Sequence, residues 1–192
     1  GRLEQAKLCL TQAIELKPKF PEAHNNLGAI LKELGRLDDA KRSFEQAITL
    51  KSDYAEAHNN LGITLQELGK LDGALTSATK AITSDPGFSN AYVTLGAVLK
   101  NIRFNGPNSK IYGPIIQMLA NGSFVRPSEI AGSILALLKL DPVIQDLLAG
   151  DNFDSSLASA NSVIGILDDI ALLHRLMRLC PLPDLQFEAF FL

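Results

Sequence analysis

The 192-residue sequence has no tryptophan and only two cysteines, Cys9 and Cys180. Standing 171 positions apart, they have neither metal-ligand spacing nor the density of a disulfide framework. Both fall in apolar helical patterns, so each is expected as a buried free thiol, which suits a reducing, cytoplasmic setting. An excess of positive charge is lacking too: the net charge is −3, and Lys and Arg are scattered singly. Nucleic acid is therefore not expected as a partner, because its binding relies on clustered cations. The longest uncharged stretch, residues 111–125, is broken by Gly113, Pro114 and Gly122 and is too short to span a bilayer. A glycine-rich phosphate loop, a nucleophile elbow and a zinc-binding helix motif are all missing. No active site, cofactor or metal is expected. No signal peptide is visible, and the chain opens at Gly1 inside a repeating pattern, as a fragment would.

What the sequence does contain is a period. With 46% hydrophobic and 20% charged residues it reads as a folded chain. Residues 21–54 and 55–88 are two copies of one 34-residue unit and agree at 18 of its 34 positions. The period extends outward, from Ala40 and Ala47 back to Ala6 and Ala13, and from Leu61-Gly62 on to Leu95-Gly96. The array thus spans residues 1–102 as half a repeat, two whole ones and another half. Such units bury their apolar faces only against their neighbours.

Within each unit, Leu27, Leu31 and Leu34 share one helical face. Gly35 and Gly69 follow the last leucines as helix-ending glycines. Small residues (Gly28, Gly62, Ala40, Ala74, Ala47, Ala81) stand where two antiparallel helices must approach closely. Together with Phe44, Ala78, Pro18 and Pro86, these positions resemble the tetratricopeptide repeat. That resemblance implies an all-α solenoid of helix–turn–helix units wound into a right-handed superhelix. Helices are expected over 2–16, 21–34, 37–50, 55–68, 71–84 and 89–102.

The period fails at Asn108, inside the breaker cluster Asn105-Gly106-Pro107-Asn108-Ser109. Residues 103–192 hold 6 Lys/Arg and 9 Asp/Glu against 12 of each in residues 1–102, and read as an irregular α-helical capping or linker region. Helices are expected over 110–121, over 128–140 with Ser128 as cap, from Asp141-Pro142 to Gly150, over 154–179, and from Asp184 onward. The apolar ending at Phe187, Phe190 and Phe191 calls for something to pack on it, either further chain or a second copy.

Functional candidates sit on the first helix of each unit, which lines the concave face of a helix-pair solenoid. Asn26 and Asn60 precede the Leu-Gly pair in consecutive repeats, so stacking sets one above the other. An asparagine amide offers an acceptor and two donors, matching a peptide group. The pair is similar to the asparagine ladder of the O-linked N-acetylglucosaminyltransferase family, from which the next rung, Thr94, departs. Asn25 and Asn59 share the role, and Lys32 and Gln66 lie further along the same face beyond Ala29 and Ile63. Glu22, Glu56 and Asn90 hold the places where a basic clamp for an acidic C-terminus would need Lys or Arg.

Other polar groups read as structural. His24 and His58 recur where Tyr92 stands in the next unit, so packing between units is expected of them. His174 reads as a helix-surface residue. The neighbours Asp38-Asp39 and Asp168-Asp169 point about 100° apart on a helix and cannot share a cation.

Arg126-Pro127-Ser128-Glu129-Ile130 and residues 176–184 look like the helical segment that joins tetratricopeptide repeats to a methyltransferase-like domain in some large bacterial proteins. The expected function is a protein-interaction module that binds a protein or extended peptide in its groove. The alternative is the non-catalytic, substrate-gripping arm of a transferase, a methyltransferase or an O-GlcNAc-type glycosyltransferase, whose catalytic domain lies beyond Leu192. A homo-oligomer formed through the open repeat end or the apolar tail is a third reading.

Overall fold

The computed structural model describes residues 1–121 and 126–142, with positions 144, 145, 172, 175, 178 and 179. Every regular element among them is helical. The chain forms two compact units, Gly1–Val98 and Leu99–Leu192. Of the expected helix over 154–179 only positions 172, 175, 178 and 179 are described, and these are helical. The helix from Asp184 lies outside the described residues, as do the helix end at Gly150, His174, Asp168-Asp169, Cys180 and the phenylalanines of the tail.

The first unit is built from α1 (Arg2–Leu16), α2 (Pro21–Glu33), α3 (Leu37–Leu50), α4 (Ala55–Glu67), α5 (Leu71–Ser84) and α6 (Ser89–Leu99). Their limits follow from local chemistry. Pro21 occupies the first turn of α2, where its missing N–H costs nothing. Gly35 and Gly69 end α2 and α4 with φ of 75° and 73°, a backbone that a Cβ would strain. In both turns the next amide bonds five residues back, Arg36 to Leu31 and Lys70 to Leu65, each at 2.8 Å. These bonds satisfy helix-end carbonyls and fold the following helix back at once. At the N-termini, aromatic residues Phe20 and Tyr54 replace polar caps, and their carbonyls accept from His24 and His58.

Packing alternates within and between repeats. Helix α2 lies against α3 and α4 against α5, while α3 meets α4 and α1 meets α2. The core between paired helices is Ala40, Phe44 and Ala47 in one repeat and Ala74, Ala78 and Ala81 in the next, all with no exposed surface. Helix α1 differs. It contains no buried residue, and Leu8 and Leu16 are 58% and 89% exposed. Cys9 is accordingly exposed, which corrects the expectation of a buried thiol. The reason is positional: only the side of α1 that faces α2 is covered by described chain.

Helix α6 ends at Leu99 and not at Ile102; the chain leaves it in a turn at Lys100-Asn101, although Ile102 remains buried.

The second unit contains a short 3-10 turn (Ser109–Ile111) leading into α7 (Tyr112–Asn121), and then α8 (Pro127–Lys139). Ser128 is not the cap of α8. Pro127 holds the first helical position, and Arg126 before it is extended (φ −69°, ψ 121°) and acts as cap. A residue preceding proline is sterically kept out of the helical region, so the boundary moves one step back. Ile130, Ile134, Leu137 and Leu138 form the buried face of α8, and the Tyr112 hydroxyl donates to the buried Asp141 carboxylate at 2.9 Å. Lys100 pairs with Glu129.

Candidate functional site

The first helices, α2, α4 and α6, are joined to one another by polar side chains. Asn25, nearly fully buried, donates from Nδ2 to Glu56 Oε1 at 3.1 Å and accepts from Asn60 Nδ2 at 3.0 Å. One repeat on, Thr94 Oγ1 donates to the buried Asn59 Oδ1 at 2.8 Å. The two contacts are equivalent, each linking residue i to residue i+35. An asparagine at the first place of the pair is thus answered by a donor at the second place of the pair in the following unit. Burial makes these bonds matter, since an unmatched buried amide costs about 1–3 kcal/mol.

Of the pair expected from the sequence, Asn26 and Asn60, the second makes its hydrogen bond to Asn25. Asn26 is exposed and Asn60 half-buried, with its amide committed to Asn25. Asn25 and Asn59 are interior links between helices. Lys32 reaches across to Glu67 of the next repeat at 3.9 Å, and Gln66, Ala29 and Ile63 are half-buried beside them. Two participants were not singled out from the sequence. Val93, 49% exposed, stands 34 positions after Asn59 and could have been found by that count. Tyr54 closes a repeat and lies among Asn25, Glu56 and Glu22. Burial pushes its hydroxyl pKa up, and the carboxylates of Glu56 and Glu22 push it further, so it remains a protonated donor.

The histidines have a shared structural task. His24 Nε2 bonds the Pro18 carbonyl at 3.0 Å and His58 Nε2 the Ser52 carbonyl at 2.9 Å. Tyr92 does the same through its hydroxyl, to the Pro86 carbonyl at 2.9 Å. All three reach back six residues to tie a helix to the turn before it. Because a carbonyl only accepts, the histidines must carry their proton on Nε2. His58→Tyr should therefore keep nearly full stability, as Tyr92 shows the bond can be made, while His58→Phe should cost about 1 kcal/mol. Thermal melts of the two variants check this; equal melting temperatures would show that the bond contributes nothing. Among the described residues, no three His, Cys, Asp or Glu side chains converge as metal ligands, and no helix is long and apolar enough to cross a membrane.

The comparisons agree with this architecture. Family models described as TPR repeat and tetratricopeptide repeat match residues 1–35 and 28–69, and residues 55–88, respectively. No curated protein matches. Among solved structures, MamA superposes with a TM-score of 0.53 at 15% identity, over 92% of this chain and 90% of that one. A mutant of the Thermobaculum terrenum O-GlcNAc transferase superposes with the same score at 20% identity, over 63% of this chain. It covers 23% of the transferase, so the chain spans about a quarter of that protein's length. At such identities the likeness is one of fold.

Proposed function

Since residues 1–88 of this chain belong to the tetratricopeptide repeat family, we propose that it is a protein-interaction module that holds an extended peptide along its layer of first helices. The observation that carries this reading is the polar layer itself. Apolar side chains would join α2, α4 and α6 more simply, yet Asn25, Asn59, Asn60, Thr94 and Glu56 line up there at the repeat spacing. They leave the Asn26 amide exposed beside the half-buried Ala29 and Ile63. Small and amide groups side by side suit a peptide backbone, whose N–H and C=O need partners while its side chains alternate outward.

The test separates binding from folding. Peptides selected from a random display library against the intact chain are rebound to variants. Asn26→Ala should weaken them by about 1 kcal/mol, roughly fivefold, with an unchanged melting temperature. Asn60→Ala should lower both binding and melting temperature, because it strips Asn25 Oδ1 of its donor. Selected peptides indifferent to Asn26→Ala would sink the reading. The alternative, an arm of a protein-modifying transferase, gains from the comparisons only a shared fold.

A further inference from the structure

The first helices carry charge almost entirely of one sign. Along α2, α4 and α6 stand four glutamates, Glu22, Glu33, Glu56 and Glu67, all exposed, against a single cation, Lys32. Lys32 is already matched by Glu67 at 3.9 Å. Glu22, Glu33 and Glu56 make no ion pair among the described residues. Helix α3 is different: Asp39 holds both Arg36 and Arg42, and Lys41 pairs with Glu45. Lys51 lies near the acidic end of the first-helix layer but is stacked over the Tyr54 ring, 5.0 Å from its centroid.

Glu22 and Glu56 belong together in space. They are one repeat apart, Asn25 donates to Glu56, and both carboxylates act on the Tyr54 hydroxyl between them. Past them along the layer run the exposed Asn26 amide, then the apolar Val93 where Asn25 and Asn59 stand in the earlier repeats. The surface therefore combines carboxylates without counter-ions, an exposed amide and an apolar foothold, in register with the repeat.

We propose that the segment bound along this layer is cationic: an extended stretch of a partner protein whose lysine or arginine side chains pair with Glu22 and Glu56. This rests on the peptide-binding reading above and adds the chemistry of its ligand. Neighbouring helices pack about 8–10 Å apart, and an extended chain in the polyproline II form advances about 3.1 Å per residue and returns to the same face every third residue. Cationic residues about three positions apart would thus meet successive repeats. Long flexible side chains suit this task, since their aliphatic stems can lie on Ala29, Ile63 and Val93 while their heads reach the carboxylates.

The experiment is fluorescence anisotropy of the whole chain with a labelled peptide carrying lysine at every third position on a serine–alanine background. Its counterpart has glutamate at each lysine. The lysine peptide should bind and the glutamate peptide should not, with binding weakening as salt is raised. Glu22→Gln with Glu56→Gln should weaken it about three- to tenfold. Glu45→Gln with Asp72→Asn removes the same charge from α3 and α5 and should leave binding unchanged. Equal loss in both double variants would assign the attraction to net charge and overturn the proposal. So would binding of the glutamate peptide as well as the lysine peptide. In that case, loss on Asn26→Ala would preserve the groove, and indifference to it would remove the groove as well.

Discussion

Phe44→Ala is expected to cost about 3–5 kcal/mol, the range for emptying a fully buried aromatic site. The Phe44 ring has no exposed surface and lies directly on the backbone of α2 at Gly28. Removing it leaves a void between two helices whose other facing residues, Ala40 and Ala47, are too small to fill it. In a compact unit of about this size, each kcal/mol moves the melting temperature by about 4–8 °C. Thermal unfolding followed by circular dichroism should therefore show a large downward shift. The second repeat provides the contrast, since its equivalent position already holds alanine, Ala78, equally buried. A shift of only a degree or two for Phe44→Ala would mean that the α2–α3 contact relaxes around the void and is not held by the ring.

The second large effect is at the glycine on the other side of that contact. A Cβ at Gly28 would fall 2.6 Å from Phe44 Cε1 and within 3 Å of two further ring atoms. The ring is enclosed and cannot swing clear. Gly28→Ala should destabilise by about 1–3 kcal/mol through overpacking, against a gain of up to about 1 kcal/mol from helix propensity, and Gly28→Leu should do worse. At Gly62 the same added Cβ would meet nothing closer than 3.4 Å, the Ala74 carbonyl oxygen and Thr94 Cγ2. Gly62→Ala should therefore be neutral or stabilising by up to about 1 kcal/mol. The two effects are also coupled. In a Phe44→Ala background, Gly28→Ala should become favourable, because the ring that opposes it is gone. A double-mutant cycle of melting temperatures measures this coupling. Additive effects would show that Gly28 is needed for some reason other than the ring.

These variants mark the line between what could be read in advance and what could not. The helix boundaries were legible because they depend on neighbours in sequence. Proline at a helix start, glycine at its end and leucines at helical spacing act within a few residues; α1, α3 and α5 have the expected limits, and α2 and α4 stop one residue short of theirs. The misses in this class were also local. Pro127 took the first position of α8 and moved its cap to Arg126, and α6 gave way at Lys100.

The candidate site was legible only to the level of a face. Counting by the period located Asn25, Asn26, Asn59, Asn60 and Thr94 on the first helices. It could not tell which asparagine would be buried, because that depends on the rotation of one repeat upon the next. A small turn decides whether Asn60 reaches Asn26 or Asn25, and it reaches Asn25.

By itself, then, the sequence determined the period, the helices and the residue types on each face, since all of these follow from spacing along one chain. Only the tertiary structure decided which of two equivalent glycines is crowded, which of two adjacent asparagines is exposed, and that Cys9 is open to solvent. The reason is the same in each case. Crowding and burial belong to pairs of groups brought together from different helices, and Gly28 differs from Gly62 only because Phe44, not alanine, lies across from it.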